Sequence, residues 1–192
     1  MNDLRTALGL LTIFPIRGDK ISARALAYYP LVGLLIGALL IAAHFLLRLA
    51  LPNLSAATLL VAFWAALTGA LHLDGFSDAC DGLFATATRE RRLEILHDVH
   101  LGAFGAVGLI LLLITKVVLV AGASGFAPIL LASILGRWAL VYAAAYPTAR
   151  SEGMAVMFRA GLTRGIILAA TVVAALISGI FGGFGVLTTP GS

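Results

Sequence analysis

"ALAYYPLVGLLIGALLIAAHFLLRL", Ala25–Leu49, carries no formal charge until Arg48. As a helix rising 1.5 Å per residue it is about 37 Å long. A hydrocarbon core is only about 30 Å thick, so this segment reads as a membrane span. The rest of the chain follows suit. Of its 192 residues 61% are hydrophobic and 11% charged, with a mean hydropathy of +1.06. Soluble domains carry about 25% charged residues, so a soluble globular fold is excluded. Four more candidate spans follow, Leu54–Leu73, Gly102–Ala121, Phe126–Tyr146 and Gly165–Val186. They are separated by "LPNLS" (51–55), a polar stretch (74–101), "GASG" (122–125) and "PTARSEGM" (147–154), all rich in Pro, Gly or polar residues. The fold expected is all-α: a polytopic bundle of about five transmembrane helices, in one domain over residues 1–192. "MNDLRTALGLLTIFPIRGDK" (1–20) lacks the pattern of a removable signal and reads as a short amphipathic helix on the membrane surface, stopped at Pro15.

Charge then orients the bundle. With the N-terminus in the cytoplasm, Arg5, Arg17, Lys20, Arg24, Arg89, Arg91, Arg92, Arg150, Arg159 and Arg164 fall inside, and only Arg48 outside. Lys116 and Arg137 lie within spans. All nine acidic residues also fall inside. The +4 net charge and pI near 9.7 therefore reflect topology rather than nucleic-acid binding. A cation transporter would spread charge through the depth of the membrane and onto both faces, which this chain does not. The chemistry is expected on the cytoplasmic side, around a helical loop between the second and third spans.

That loop opens with "LHLDGFSDACDGLF" (71–84). Asp74, Asp78 and Asp81 stand at i, i+4 and i+7, in one stripe if the helix of the second span continues past the membrane. Like charges so placed repel, and a hard divalent cation such as Mg²⁺ or Mn²⁺ resolves the repulsion with oxygen ligands. The bland alternative is a solvated acidic helix end. Downstream, "RERRLEILHDVHLGAFG" (89–105) sets Glu94 and Asp98 at i, i+4 on an expected helix, with Arg91 one turn earlier. Alone it is an ordinary amphipathic surface helix. Facing the first cluster across "GLFATAT" (82–88), it brings four or five carboxylates together, enough for one or two ions with positions left for phosphate oxygens. The reaction class such a site favours is attack on a pyrophosphate with loss of a nucleoside monophosphate.

Phosphates also need cations from the protein. Arg137, in "LGRWALV", offers bidentate contacts; Lys116, Arg91 and Arg150 are further candidates, each with a structural pairing or snorkelling role as its alternative. His72 lies about 200° around the helix from Asp74 by the 100° step per residue, off the stripe. His97 and His100 are surface histidines, and His44 lies in the outer half of the first span. Cys80, the only cysteine, forms no internal disulfide and has nothing beside it to activate a thiolate. Gly33 and Gly37 form a G-x-x-x-G, whose default role is close helix packing.

These residues together resemble a known family. "HLDGFSDACDGLF" is similar to the H-L-D-G-x-x-D-x-x-D-G-L-F signature of cobalamin synthase, the adenosylcobinamide-GDP ribazoletransferase family. "LLTIFPI" (10–16), "AYYPLVGLLIGALL" (27–40), the 89–105 segment and "ILGRWALVYAAAYPTARSEGM" (134–154) resemble further blocks in the family's order. The resemblance implies a multi-pass enzyme of the bacterial or archaeal (inner) membrane acting late in cobalamin biosynthesis. It would transfer the adenosylcobinamide phosphate group from adenosylcobinamide-GDP to α-ribazole or its 5′-phosphate, with Mg²⁺ required and GMP released. A homo-oligomer, or association with other cobalamin-biosynthesis proteins, is compatible with it. A weaker likeness runs to CDP-alcohol phosphotransferases: "DACDG" matches their D-x-x-D-G, and Glu94-x-x-x-Asp98 their closing D-x-x-x-D. By that analogy Asp78, Asp81, Glu94 and Asp98 are the metal ligands, with Asp74 adjoining; Asp78 and Asp81, with Arg137 from its own phosphate-binding chemistry, are the expected catalytic set. Two departures stand out. Ser77 and Cys80 replace small apolar residues, and the chain ends at "GGFGVLTTPGS" (182–192) without the family's G-G-x-T-G-D-like segment.

Overall fold

The computed structural model describes residues 2–16, 21–96, 98, 100–148 and 153–188, with the side chains of 182–188 excepted. All regular structure among the described residues is helical: α1 (Asn2–Leu11), a 3-10 segment (Ala23–Tyr28) leading into α2 (Tyr29–Ala50), α3 (Asn53–Leu67), α4 (Leu71–Phe84), α5 (Arg89–Ile95), α6 (Ala103–Gly122), α7 (Ala127–Ala143), α8 (Met154–Gly161) and α9 (Arg164–Thr188). They group into two compact units, residues 1–50 with 123–192, and residues 51–122.

The first unit is held by α2, α7 and α9. The G-x-x-x-G of α2 does what its spacing suggests. A Cβ on Gly33 would come 2.6 Å from the Ser133 carbonyl oxygen and 2.8 Å from Ile134 Cα, and one on Gly37 2.7 Å from Leu130 Cδ1. The two glycines therefore let the α2 and α7 backbones meet. Leu130, Ile134 and Ala174 form the adjoining core, flanked by Leu34, Ile41, Trp138, Ile177 and Phe181. The Trp138 Nε1–H donates to Thr171 Oγ1 at 3.0 Å, satisfying the indole inside an apolar contact.

The second unit packs α4 and α3 on α6, with α5 on α4. Along α6, Ile110, Leu111, Ile114 and Leu119 are more than half exposed, apolar surface of the kind a bilayer covers.

The described helices give three to four candidate spans, where about five were expected. Ala23–Ala50, Ala103–Gly122 and Arg164–Phe181 are long and apolar enough to cross a membrane; a fourth candidate is the pair α3–α4, bent by 93°. The helix expected as the second span is thus interrupted, as in a broken span or a re-entrant loop, and the stripe of aspartates sits on α4 rather than on a continuation of α3. The break has a local cause. Thr68 Oγ1 donates to the Trp64 carbonyl at 3.0 Å, and Gly69 and Ala70 adopt φ of 63° and 55°. Gly69 enters that left-handed region without a Cβ penalty, so the α-helix stops there. α7 is also shorter than expected at 17 residues. Its last turn unwinds over Ala144–Tyr146 before Pro147, which has no N–H and disfavours helical geometry in the residue before it.

Candidate active site

Asp81 is the best-defined of the three aspartates. Its Oδ2 accepts the Gly102 N–H and its Oδ1 the Gly105 N–H, both at 2.9 Å. The first N–H groups of a helix have no intrahelical acceptor, and the helix dipole leaves that end partly positive. Asp81 therefore caps α6 from another helix. Three glycines make room for it. A Cβ on Gly102 or Gly105 would overlap the Asp81 carboxylate, and one on Gly108 would lie 2.6 Å from Cys80 Sγ. Gly102, Gly105 and Gly108 thus form a groove along α6 that receives the buried face of α4, Ser77, Cys80 and Asp81. Cys80 is a packing residue here, as its surroundings in the sequence suggest.

The other carboxylates have different surroundings. Asp74 is exposed in the first turn of α4, and Asp78 is half-buried one turn on. Glu94 Oε2 accepts from Arg91 Nη1 at 2.6 Å, an exposed pair within α5. Asp98 Oδ1 pairs with His100 Nδ1 at 2.6 Å and accepts the His100 backbone N–H at 3.0 Å. The side-chain bond from His100, then the backbone bond, hold the Asp98 carboxyl below the usual range.

The expected helical pairing of Glu94 with Asp98 is not observed. α5 ends at Ile95, and Leu96 packs against Gly82 of α4, where a Cβ would stand 3.1 Å from Leu96 Cδ2. Asp98 falls beyond the helix end and off the Glu94 face. Among the described residues no three His, Cys, Asp or Glu side chains are grouped closely enough to hold a metal ion. The donors suit a hard cation in chemical type, since all are carboxylate oxygens. As placed, one caps a helix and two are engaged by neighbouring basic side chains.

Lys116 and His72 form a cluster that reading them one by one did not reveal. Lys116 Nζ lies 3.3 Å from His72 Nε2 and 4.8 Å from the centre of the Trp64 ring. His72 Nδ1 lies 3.4 Å from Thr68 Oγ1. An ammonium can only donate, so with Lys116 charged and His72 neutral Nε2 is the acceptor and the ring proton lies on Nδ1, on the Thr68 side. The Thr68 hydroxyl passes its own proton to the Trp64 carbonyl. The cluster sits at the α3–α4 break. Two sequence signals pointed to it: a lysine inside an apolar span needs a partner, and His72 lies off the aspartate stripe.

Arg137 belongs to the first unit, on α7. It is 9% exposed, and among the described residues it makes no ion pair. Arg150, Glu152 and His97 lie outside the described residues.

Comparison of the sequence places the chain among known proteins. The family described as cobalamin-5-phosphate synthase matches residues 3–191. The chain is similar to the adenosylcobinamide-GDP ribazoletransferase of Roseiflexus sp. (strain RS-1), 36% identical over 187 residues, covering 93% of this chain and 70% of that protein. The protein of the same name from Deinococcus radiodurans is 42% identical over 166 residues, 82% of this chain and 61% of its own length. That of Geotalea daltonii is 48% identical over 115 residues, 57% and 47% respectively. This chain thus spans between 47% and 70% of the length of those relatives. No solved structure matches it.

Proposed function

Because the chain belongs to the cobalamin-5-phosphate synthase family, we propose that it transfers the adenosylcobinamide phosphate group from adenosylcobinamide-GDP to α-ribazole or its 5′-phosphate. A ribazole hydroxyl oxygen bonds to the corrinoid-linked phosphorus, and the bond from that phosphorus to the GMP oxygen breaks. The hydroxyl proton leaves, GMP departs, and adenosylcobalamin or its 5′-phosphate forms. The observation that carries this reading is the likeness over residues 3–191, which includes the aspartate-bearing α4, the α6 groove and Arg137.

The residues support it as follows. Phosphoryl transfer asks for positioning and charge stabilisation rather than a covalent nucleophile. A buried guanidinium without a carboxylate is costly to maintain, and a phosphate oxygen is the partner that resolves it. Arg137 is therefore assigned to substrate phosphate, and Arg91 and Arg150 are further candidates for phosphate contact. Lys116, held by His72 and Trp64, acts as a fixed point charge rather than a swinging side chain. Mg²⁺ is the proposed cofactor: Asp74, Asp78, Asp81, Glu94 and Asp98 are the carboxylates that would hold it, and it would neutralise charge on the pyrophosphate. The orientation that fits the charge asymmetry puts the N-terminus and these residues on the cytoplasmic side of a bacterial or archaeal inner membrane.

The test is GMP release and cobalamin formation from adenosylcobinamide-GDP and α-ribazole by protein reconstituted in lipid, with Mg²⁺ and then with EDTA. Metal-dependent turnover is expected. If a chain extended to the length of its relatives also gives none with Mg²⁺, the assignment falls, and transfer from a CDP-alcohol is the next reaction to assay.

A further inference from the structure

A cleft of about 570 Å³ lies in the first unit between α1, the 3-10 segment, α2 and α9, and none of the residues assigned above lines it. Its two ends differ in chemistry. Ile166, Ala169 and Val173 line one wall, at i, i+3 and i+7 on a single face of α9. Ala27 and Leu31 form the facing wall. Together they make an apolar slot running along two helices that begin candidate spans. The mouth is polar: Arg24, Asp3, Tyr28 and Thr163 line it.

The mouth carries one positive and one negative side chain, and these do not pair with each other or with any other described residue. Thr163 adds further polarity as the cap of α9. Its Oγ1 and carbonyl both accept the Ile166 N–H, at 3.3 and 3.1 Å. The Arg164 and Gly165 N–H groups ahead of it are first-turn donors, which have no intrahelical acceptor. The cleft therefore presents, at the level where spans begin, a cation and amide donors, a nearby carboxylate, two hydroxyls and a long apolar slot.

We propose that this cleft holds one phospholipid with a phosphoethanolamine headgroup. The phosphate sits on Arg24 and the start of α9, the primary ammonium on Asp3, and one acyl chain along Leu31, Ile166, Ala169 and Val173. The two opposite charges select the headgroup. A purely anionic lipid meets repulsion from Asp3, and a choline headgroup offers that carboxylate no N–H. The slot selects a lipid over a soluble phosphate.

The experiment is native mass spectrometry of the full chain in detergent, offered phosphatidylethanolamine, phosphatidylglycerol and phosphatidylcholine with identical acyl chains. Retention of the ethanolamine lipid is expected to exceed the other two by about tenfold, a difference of about 1.4 kcal/mol. Arg24→Gln should abolish that excess. Asp3→Asn should remove the discrimination against phosphatidylglycerol. Ala169→Phe and, on the opposite wall, Leu31→Trp each fill the slot and should expel lipid; at least one must remain monodisperse with an unchanged helical spectrum. Equal retention of all three lipids, or ethanolamine-lipid retention unaffected by Arg24→Gln and Asp3→Asn, overturns the proposal. So does displacement by soluble phosphoethanolamine as effective as displacement by the lipid, which would leave the slot without a role. None of these readouts depends on turnover, so their failure is distinct from failure of the transferase reading.

Discussion

The Asp81 carboxylate lies 2.9 Å from the Gly105 amide nitrogen, so a side chain of the aspartate-rich helix closes the N-terminus of α6. With the matching bond to Gly102, both carboxylate oxygens are engaged. Asp81→Asn keeps one acceptor and loses the charge. It should lower unfolding stability in metal-free buffer by about 1–2 kcal/mol, the range for loss of a charged cap. Chemical denaturation in detergent measures it. Unchanged stability with lost turnover would instead make Asp81 a ligand and not a cap.

The α6 groove makes a paired prediction. Gly105→Ala puts a methyl group into the Asp81 carboxylate, whereas a Cβ on Gly75 meets nothing within 4 Å. Gly105→Ala should therefore destabilise by about 1–3 kcal/mol, as overpacking does. Gly75→Ala, inside α4, should be neutral or stabilising by up to about 1 kcal/mol. Thermal unfolding of the two variants side by side gives the comparison, and the opposite order would refute the groove.

How far the sequence discloses this molecule depends on the kind of signal. Apolar length announces α2, α6 and α9, because span length is a one-dimensional property. Gly33 and Gly37 announce a close contact but not its partner, α7. The break at Gly69 is invisible to hydropathy: Thr68 and Gly69 are small and lie in an apolar stretch, and only backbone geometry separates a bent pair from a straight span. The Asp spacing was legible, yet the role of Asp81 was not. The amides it caps lie over twenty residues away, on a helix start that carries no side-chain signal beyond its glycines. Asp98 left its expected helix because Leu96 found Gly82, a tertiary contact that periodicity does not encode.

The Lys116–His72 contact predicts energetic coupling. Each single alanine substitution removes one side of the same 3.3 Å contact, so the double variant should cost less than the sum of the singles. A coupling of about 0.5–3 kcal/mol is expected for groups in direct contact. A double-mutant cycle on unfolding in lipid or detergent measures it, and strict additivity would show that the two side chains act independently.

Asp98 predicts a pH effect with a definite sign. Its carboxyl is depressed, first by the His100 side-chain hydrogen bond. A depressed acid contributes stability above its ordinary pKa and loses that contribution as pH falls through the lowered value. His100→Ala should therefore raise the Asp98 pKa toward the ordinary carboxylate range, read by NMR titration of the carboxyl carbon. Because the Asp98 side chain is exposed, any accompanying change in overall stability should be slight, confined to acidic pH and reduced by added salt.

Arg137 distinguishes charge from geometry. It is 9% exposed on α7, with Ser133 and Ile134 buried beside it, so a shorter or apolar side chain alters packing as well as charge. Arg137→Lys keeps the positive charge and loses the planar fork that grips two phosphate oxygens at once. Arg137→Met keeps most of the volume and loses the charge. If Arg137 binds substrate phosphate, GMP release should fall by about tenfold or more in Arg137→Lys and further in Arg137→Met, since a charge-assisted hydrogen bond is worth about 1.5–3 kcal/mol. Stability should move the other way, because an apolar residue no longer has to keep an unpaired charge buried. Steady-state turnover and unfolding measured on the same preparations separate the two effects. A Met variant that is both less stable and fully active would make Arg137 a structural residue.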